Sequence, residues 1–518
     1  MKSSHAFFLA PPVVSAQDEA SRSAPSAPQS AERGAANTRK AAKSMLWSSV
    51  ENGGFALVSF GTLIVYSRFL SAADFGLFSV ALALVELFGL LVGMLFHDAI
   101  VQKERVTALH YDTAFTATLL LSAVLLTGSV LFAPTLARLM GNPSAAPVLA
   151  WLSLCFPATA LSATLVAEQR REFGFRKLAL RTLVGRLSGA AVGVAAVACG
   201  AGLWGLVAQQ VLIALSSSLV LWTTASSRPR LRLGVRELRE LLAFGIYAIG
   251  GMFLSFAVKR VFVVVAGVML GAELAGYLNL SFRAVDMLWG IAAAAITQVA
   301  LPLFSRLQAE PERALAAFRR ATEFTCLALY PCFIGMALVA PELVELLFGH
   351  KWLPSTAYVA VLATLVLVRA AGLLFGPLLT ALGRPRDSLL SVSVEFAVML
   401  ALIAVFGARS LTAAVGVWVA RELVAAGMMA WLVKRALKLP LTSLVGGAFV
   451  PLAATALMAA VVLVLRGLLP HELGPFARFS LLVSTGVLSF ALGMRLFGRA
   501  LVARAWGFLG TALARAGG

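Results

Sequence analysis

Fourteen stretches of about twenty apolar residues constrain this chain more than any motif it carries. They fall at roughly 45–67, 76–97, 113–137, 146–167, 180–200, 203–224, 241–270, 275–302, 322–347, 355–382, 388–407, 411–433, 446–466 and 477–497. Backbone N–H and C=O groups find no water in hydrocarbon, so only helices or a closed barrel satisfy them there. Barrel strands read as segments of about ten residues with alternating polarity, whereas these runs are continuous. The expected fold is therefore an all-α polytopic membrane protein with about 14 transmembrane helices. Composition agrees, with 60% hydrophobic and 13% charged residues and a mean hydropathy of +0.89, against about 25% charged in a soluble domain.

The formal charge of +19 would suggest nucleic acid in a soluble protein. Here it follows from the excess of Lys and Arg in cytoplasmic loops, and no nucleic-acid partner is expected. Every second loop is basic: Lys103 and Arg105, then Arg170 to Arg181, Arg228 to Arg239, Arg306 to Arg320, Arg384 and Arg386, and Lys434 to Lys438. The alternate loops carry only Arg68, Arg138, Lys351, Arg409, Arg466 and Arg478. One missed helix would invert this alternation, so it supports the number of spans and places both termini in the cytoplasm. Residues 1–44, rich in Ala, Ser and Pro, read as a disordered cytoplasmic tail. A signal peptide is the rival, but Pro11 and Pro12 break its short apolar core. Residues 498–518 are basic and amphipathic, suited to the membrane surface or to a helical extension without a role. Cys155, Cys199, Cys326 and Cys332 lie in apolar segments at no metal-ligand spacing.

The chain also repeats itself. Leu70, Ala72, Gly76 and Val85 recur 200 residues later as Leu270, Ala272, Gly276 and Val285, and Glu86 recurs as Asp286. APTLARLMG from Ala133 matches APELVELLFG from Ala340 in the same order. Duplication gives two pseudo-symmetric six-helix bundles, at 45–225 and 241–435, joined by a cytoplasmic connector at 226–240. With six helices per half, both halves enter the membrane in the same direction. The relating axis then lies along the membrane normal, with a substrate site between the bundles. Residues 436–497 supply two additional C-terminal helices.

No phosphate loop, H-E-x-x-H or paired Cys-x-x-Cys occurs, so neither a cofactor nor a metal is expected, and the chain is not read as an enzyme. What stands out is charge inside the spans: Glu51, Glu86, Arg186, Lys259, Arg260, Arg283, Asp286, Arg369, Glu395, Arg421 and Glu422. Each costs at least about 2.5 kcal/mol facing lipid at a helix centre, so these groups should face a wet cavity or one another. Lys259, Arg260, Arg283, Arg369 and Arg421 are the candidates for an anion-accepting cavity. Alternatives remain for several. Lys259 and Arg260 could snorkel, Arg186 lies near a cytoplasmic helix end, and Arg283 and Asp286, at i and i+3, could form a closed structural pair. Arg421 and Glu422, being adjacent, are expected to face different directions.

LGAELAGYLNLSFRAVDM, LPLFSRLQ and APELVELLFGHKW, together with SRFLSAADFGLFSVA from Ser67, resemble the polysaccharide transporter family of lipid-linked oligosaccharide flippases. The closest subgroup is the colanic-acid and exopolysaccharide type, within the superfamily that also holds multidrug extrusion carriers and lipid II flippases. The resemblance covers about residues 45–435. It implies a V-shaped pair of bundles that alternates between inward-open and outward-open states in a bacterial inner membrane. The substrate implied is an undecaprenyl-diphosphate-linked oligosaccharide, with membrane lipid and the polymerase and chain-length regulator of the same pathway as partners. It also implies coupling to a proton or sodium gradient, for which Glu86, Asp286 and Glu51 are the candidates. Two other functions are weighed: a cation-coupled multidrug exporter, and a membrane-embedded glycan polymerase or ligase, for which the outer loops are short.

Overall fold

Ala72 and Gly76 meet Ala272 and Gly276 in space, so the repeat is a structural one. A computed structural model describes residues 53–225, 228–306, 311–382, 384–406, 410–437, 446–470 and 472–499. Within the described residues, each of the fourteen apolar stretches coincides with helix. In order these are α1 Gly53–Phe69, α2 Ala72–Gln102, α3 Ala108–Met140, α4 Ala145–Arg171, α5 Phe175–Ala198 and α6 Leu203–Thr224. The second half holds α7 Val235–Leu270, α8 Ala272–Arg306, α9 Pro311–Leu338, α10 His350–Ala381, α11 Pro385–Phe406 and α12 Leu411–Leu437. Two more follow, α13 Gly446–Leu468 and α14 Pro475–Phe497. No strand occurs among the described residues. The tails expected at 1–44 and 498–518 lie outside them, apart from Gly498 and Arg499, as does Glu51.

α2 starts at a capping box. The Ser71 hydroxyl accepts from the Asp74 N–H at 3.1 Å while the Asp74 carboxylate accepts from the Ser71 N–H, which satisfies two donors the first turn leaves open. One turn on, a Cβ on Gly76 would overlap the carbonyl oxygen of Ala272, and a Cβ on Gly276 would overlap that of Ala72. The contact is reciprocal, so the pseudo-twofold axis passes between the two glycines. Small residues four apart let the backbones touch, and packing of this kind is what holds helices together where no hydrophobic drive operates between them. Phe75, Val80 and Leu280 are fully enclosed around the crossing.

The start of α10 closes this end of the interface. The Trp352 indole N–H donates to the Ser67 carbonyl at 2.8 Å, and Lys351 Nζ donates to the carbonyls of Arg68 and Leu70 at 3.0 and 2.7 Å. Phe75 and Tyr277 meet the Trp352 ring edge to face at 5.6 and 5.9 Å. At the opposite end, α7 leans on the first half: Glu240 accepts from Lys103, and Leu241 packs with Phe96 and Ile100.

The two last helices lie outside the repeat, against α9. Val339, Met458, Val462 and Leu482 form their apolar contact, and Arg466 reaches Glu342 at 3.3 Å. Two details differ from the sequence reading. The ninth span is split, with α9 ending at Leu338 and a separate helix Ala340–Phe348 following. Pro341 sits in the first turn of that second helix, where its missing N–H costs nothing. Its counterpart Pro134 stands inside an unbroken α3. The connector is also shorter, because α7 begins at Val235.

Candidate functional site

Below the crossing of α2 and α8, between the two halves, lies a cavity of about 660 Å³. Its walls carry the repeat. Ser79, Leu82 and Glu86 of α2 line it from one side, and Asn279, Phe282 and Asp286 of α8 line it from the other. Steps of three and four residues keep each trio on one helix face, so Glu86 and Asp286 stand at matching depth. α1 contributes Ser59, Thr62 and Tyr66, α5 Arg186, α6 Gln209 and Gln210, and α7 Lys259 and Arg260.

The adjacent residues Lys259 and Arg260 reach opposite walls. Lys259 pairs with Asp286 within its own half, and Arg260 pairs with Glu86 of the other half at 2.7 Å. From Asp286 a chain of alternating charge runs away from the cavity. Arg369 lies 3.6 Å from Asp286 and 3.7 Å from Glu422, and Arg421 holds both Glu422 and Glu395. Within this chain every cation has a carboxylate. Among the described residues, Arg186 and Arg283 have no acid within ion-pair distance. Their guanidinium groups lie over rings instead, Arg186 over Phe55 at 4.1 Å and Arg283 over Phe75 at 5.6 Å. Four cations and two carboxylates line the cavity, and the excess of positive charge rests on these two arginines.

Three of the five cationic candidates, Lys259, Arg260 and Arg283, line the cavity, as do the acids Glu86 and Asp286. Arg369 and Arg421 are not among the lining residues; they sit behind α8, with Arg421 only 4% exposed. Arg369 has no acid on its own helix but finds Asp286 and Glu422 on two others. The adjacent Arg421 and Glu422 do face each other, because a long guanidinium side chain folds back far enough to meet its neighbour's carboxylate. Arg283 and Asp286 do not form the closed i, i+3 pair, since Asp286 is taken by Lys259 and Arg369. Lys259 and Arg260 do not snorkel. Arg186, set aside as a helix-end residue, lines the cavity, and so do Tyr66, Gln209, Gln210 and Asn279, for which no sequence signal stood out. No group of three His, Cys, Asp or Glu able to hold a metal occurs among the described residues.

A model of a polysaccharide biosynthesis protein family matches residues 65–357, more than half of the chain. The chain belongs to this polysaccharide biosynthesis family. The family match takes in every charged lining residue, from Glu86 to Asp286, and stops short of Arg369 and Arg421. Over 318 residues the chain is 27% identical to the succinoglycan biosynthesis transport protein ExoT of Rhizobium meliloti (strain 1021), covering 61% of this chain and 64% of that protein. It is 23% identical over 344 residues to the lipopolysaccharide biosynthesis protein WzxC of Escherichia coli (strain K12), covering 65% and 69%. The chain thus spans just under two thirds of ExoT. Among solved structures it is similar to lipid II flippase MurJ in an inward closed conformation, with a TM-score of 0.72 over 88% of this chain and all of that one. An inward-facing multidrug resistance MATE transporter gives a TM-score of 0.54 over 78% and 94%. At 13% and 15% identity these likenesses speak to the fold, which this polysaccharide biosynthesis family member shares with both.

Proposed function

We propose that the protein flips a lipid-linked oligosaccharide, carried on undecaprenyl diphosphate, across a bacterial inner membrane by alternating access. The observation that carries this reading is the pair Arg186 and Arg283, two guanidinium groups without carboxylates in a cavity between two repeats. An unpaired cation at the depth of a membrane helix is costly, and an anionic ligand with several acceptor oxygens removes that cost. Diphosphate suits guanidinium because its oxygens take planar, multidentate hydrogen bonds. The sugar and diphosphate pass through the cavity while the apolar chain stays in the bilayer.

An arriving diphosphate also competes with Glu86 and Asp286 for Arg260 and Lys259. A carboxylate that loses its cation in a low-dielectric site favours taking up a proton or a metal cation, which supplies a coupling step on matched positions of the two halves. The distribution of basic loops supports an orientation with the end closed by Trp352 in the periplasm and both termini in the cytoplasm. The polymerase and chain-length regulator of the same pathway receive the product. A drug exporter of the same fold would need a pocket that accepts cations, and here both lining carboxylates are already paired.

Deletion of the gene tests the reading. Undecaprenyl-linked repeat units should accumulate on the inner leaflet while extracellular polysaccharide is lost, and an Arg186→Ala/Arg283→Ala variant should insert normally without restoring export. Normal polymer together with new sensitivity to cationic dyes would sink it in favour of drug extrusion.

A further inference from the structure

The two carboxylates that line the cavity are not held alike. Among the described residues, Glu86 has one cation within ion-pair distance, Arg260. Asp286 has two. Lys259 holds it by direct contact, and Arg369 approaches from behind α8, with its Nη1 3.6 Å from Oδ1. On its other side the Arg369 Nε lies 3.7 Å from a Glu422 oxygen. Both distances exceed that of a hydrogen bond, so Arg369 stands between two acids and is bonded to neither. Glu422 does not depend on it, because the Arg421 guanidinium donates to the same carboxylate.

The backbone around Arg369 is built to shift. Arg369 is carried on Val366–Gly372, the middle piece of α10, between Thr356–Thr364 and Phe375–Ala381. At the first break the Val368 N–H donates three residues back to the Leu365 carbonyl at 3.1 Å, and at the second the Leu373 N–H donates to the Ala370 carbonyl at 3.4 Å. Tightened turns of this kind inside a helix mark hinges. The guanidinium lies over the Trp289 ring of α8 at 4.5 Å, a flat surface that attracts it without fixing its direction. Closing on Asp286 to the about 2.8 Å of a charge-assisted hydrogen bond takes a movement of less than about 1 Å.

Lys259 is the partner free to leave. Its ammonium lies over the Phe282 ring at 4.7 Å, and Lys259, Phe282 and Asp286 all line the cavity. A diphosphate in the cavity attracts this point charge on its flexible stem. An acid left without a cation inside a span is costly, and Arg369 is in place to remove that cost.

We infer that Arg369 is a positioning residue for the substrate: it takes over Asp286 when the diphosphate draws Lys259 away, so that Lys259 changes partner from protein to ligand. The inference rests on the reading of the cavity as a diphosphate-lipid site. Asp286 keeps a cation throughout the exchange, which confines the proposed uptake of a proton or metal cation to Glu86.

The test uses the full-length protein in nanodiscs, titrated with farnesyl diphosphoryl-glucose. Arg369→Gln should weaken binding about tenfold, the scale of coupling within one charge network, because Lys259 can then leave only by uncovering Asp286. Asp286→Asn removes the carboxylate that needs covering, so Arg369→Gln added to it should change affinity less than about twofold. Binding recovered in that double variant also shows that Arg369→Gln folds. In a Glu86→Gln background Arg369→Gln should keep its whole effect. Three results overturn the exchange: no effect of Arg369→Gln in wild type, an equal effect with and without Asp286→Asn, which would assign it to the long-range field of one lost charge, or loss of the effect in Glu86→Gln as well. If wild type does not bind the probe, the diphosphate reading beneath it fails and the exchange falls with it, which separates the two failures.

Discussion

α2 and α8 begin with the same small residues, cross at the same glycines and carry a carboxylate at the same depth, yet they do different work. α2 is largely enclosed, and its cavity face ends at Glu86. α8 continues the wall through Met287, Gly290, Ile291 and Ala294. Where α8 carries Arg283, the equivalent residue of α2 is Ala83, which is 1% exposed in the core. Asp286 holds two cations where Glu86 holds one. The features common to both helices are those the crossing needs, and the features that differ are those a ligand would touch. The contact is symmetric between the two helices, while the unpaired cation is carried by α8 alone.

The sharpest way to break that comparison is to move the charge. Arg283→Ala should reduce export of polysaccharide to near background, and Ala83→Arg added to it should not restore it, because Ala83 is packed away from the cavity. Export recovered by the swap, measured as extracellular polymer at equal protein level, would mean that the two helices are interchangeable.

The next largest effect should come from the symmetric part. Gly76→Val and Gly276→Val place a side chain on a backbone carbonyl that cannot yield, and overpacking of this kind costs about 1–3 kcal/mol or more. Both should open the closed end to a similar degree. The readout is labelling of a Tyr66→Cys reporter by a membrane-impermeant thiol reagent added from outside. A large response to one glycine only would show that the crossing is not reciprocal.

A smaller difference should separate the two acids. Asp286→Asn strands Lys259 and leaves Arg369 with Glu422 alone, whereas Glu86→Gln strands only Arg260. These groups are about 30% exposed, which puts the losses well under the full cost of breaking a buried pair, at about 1–2 kcal/mol for Asp286 and less for Glu86. Thermal unfolding in detergent should rank them in that order. Equal shifts would remove Arg369 from the Asp286 pair.

The sequence carried the helices and their order because each span is predominantly apolar over about twenty residues, and it carried the repeat because the crossing tolerates only small residues at Ala72, Gly76 and their partners. It also carried Glu86 and Asp286, since a matched acid in lipid has few explanations. The wiring between helices was not legible. Arg369 looked solitary because its acids are 83 residues before it and 53 after it along the chain, and nothing local encodes that meeting. Arg186 looked like a helix-end residue, because position along one helix says nothing about which neighbour turns its face into a cavity. The uncharged polar lining residues Tyr66, Gln209, Gln210 and Asn279 left no trace, since Gln, Asn and Tyr inside a span are as readily structural as functional.

The smallest expected effect lies outside both compared helices, where α7 begins. Glu240 immediately precedes the apolar run of α7, which starts at Leu241. Lys103 foremost, then Arg236 and His110, donate to its carboxylate and hold its pKa down at about 2. A carboxyl group depressed in the folded state contributes stability above its unfolded value, about 4.3, and loses it as pH falls toward the folded value. The tie between α7 and the start of α3 should therefore be constant from pH 5 to 8 and loosen between about pH 4 and 2. Because the carboxylate is solvent-exposed, salt screens the tie, and Glu240→Gln at pH 7 should change export less than twofold. A spin-label pair on Thr107→Cys and Arg239→Cys reports the separation. Glu240→Gln should remove the part of the widening that sets in below pH 4 and dampen the salt dependence. An identical pH response in the variant would assign that loosening to other carboxylates and leave the start of α7 anchored without Glu240, through contacts such as Leu241 with Phe96 and Ile100.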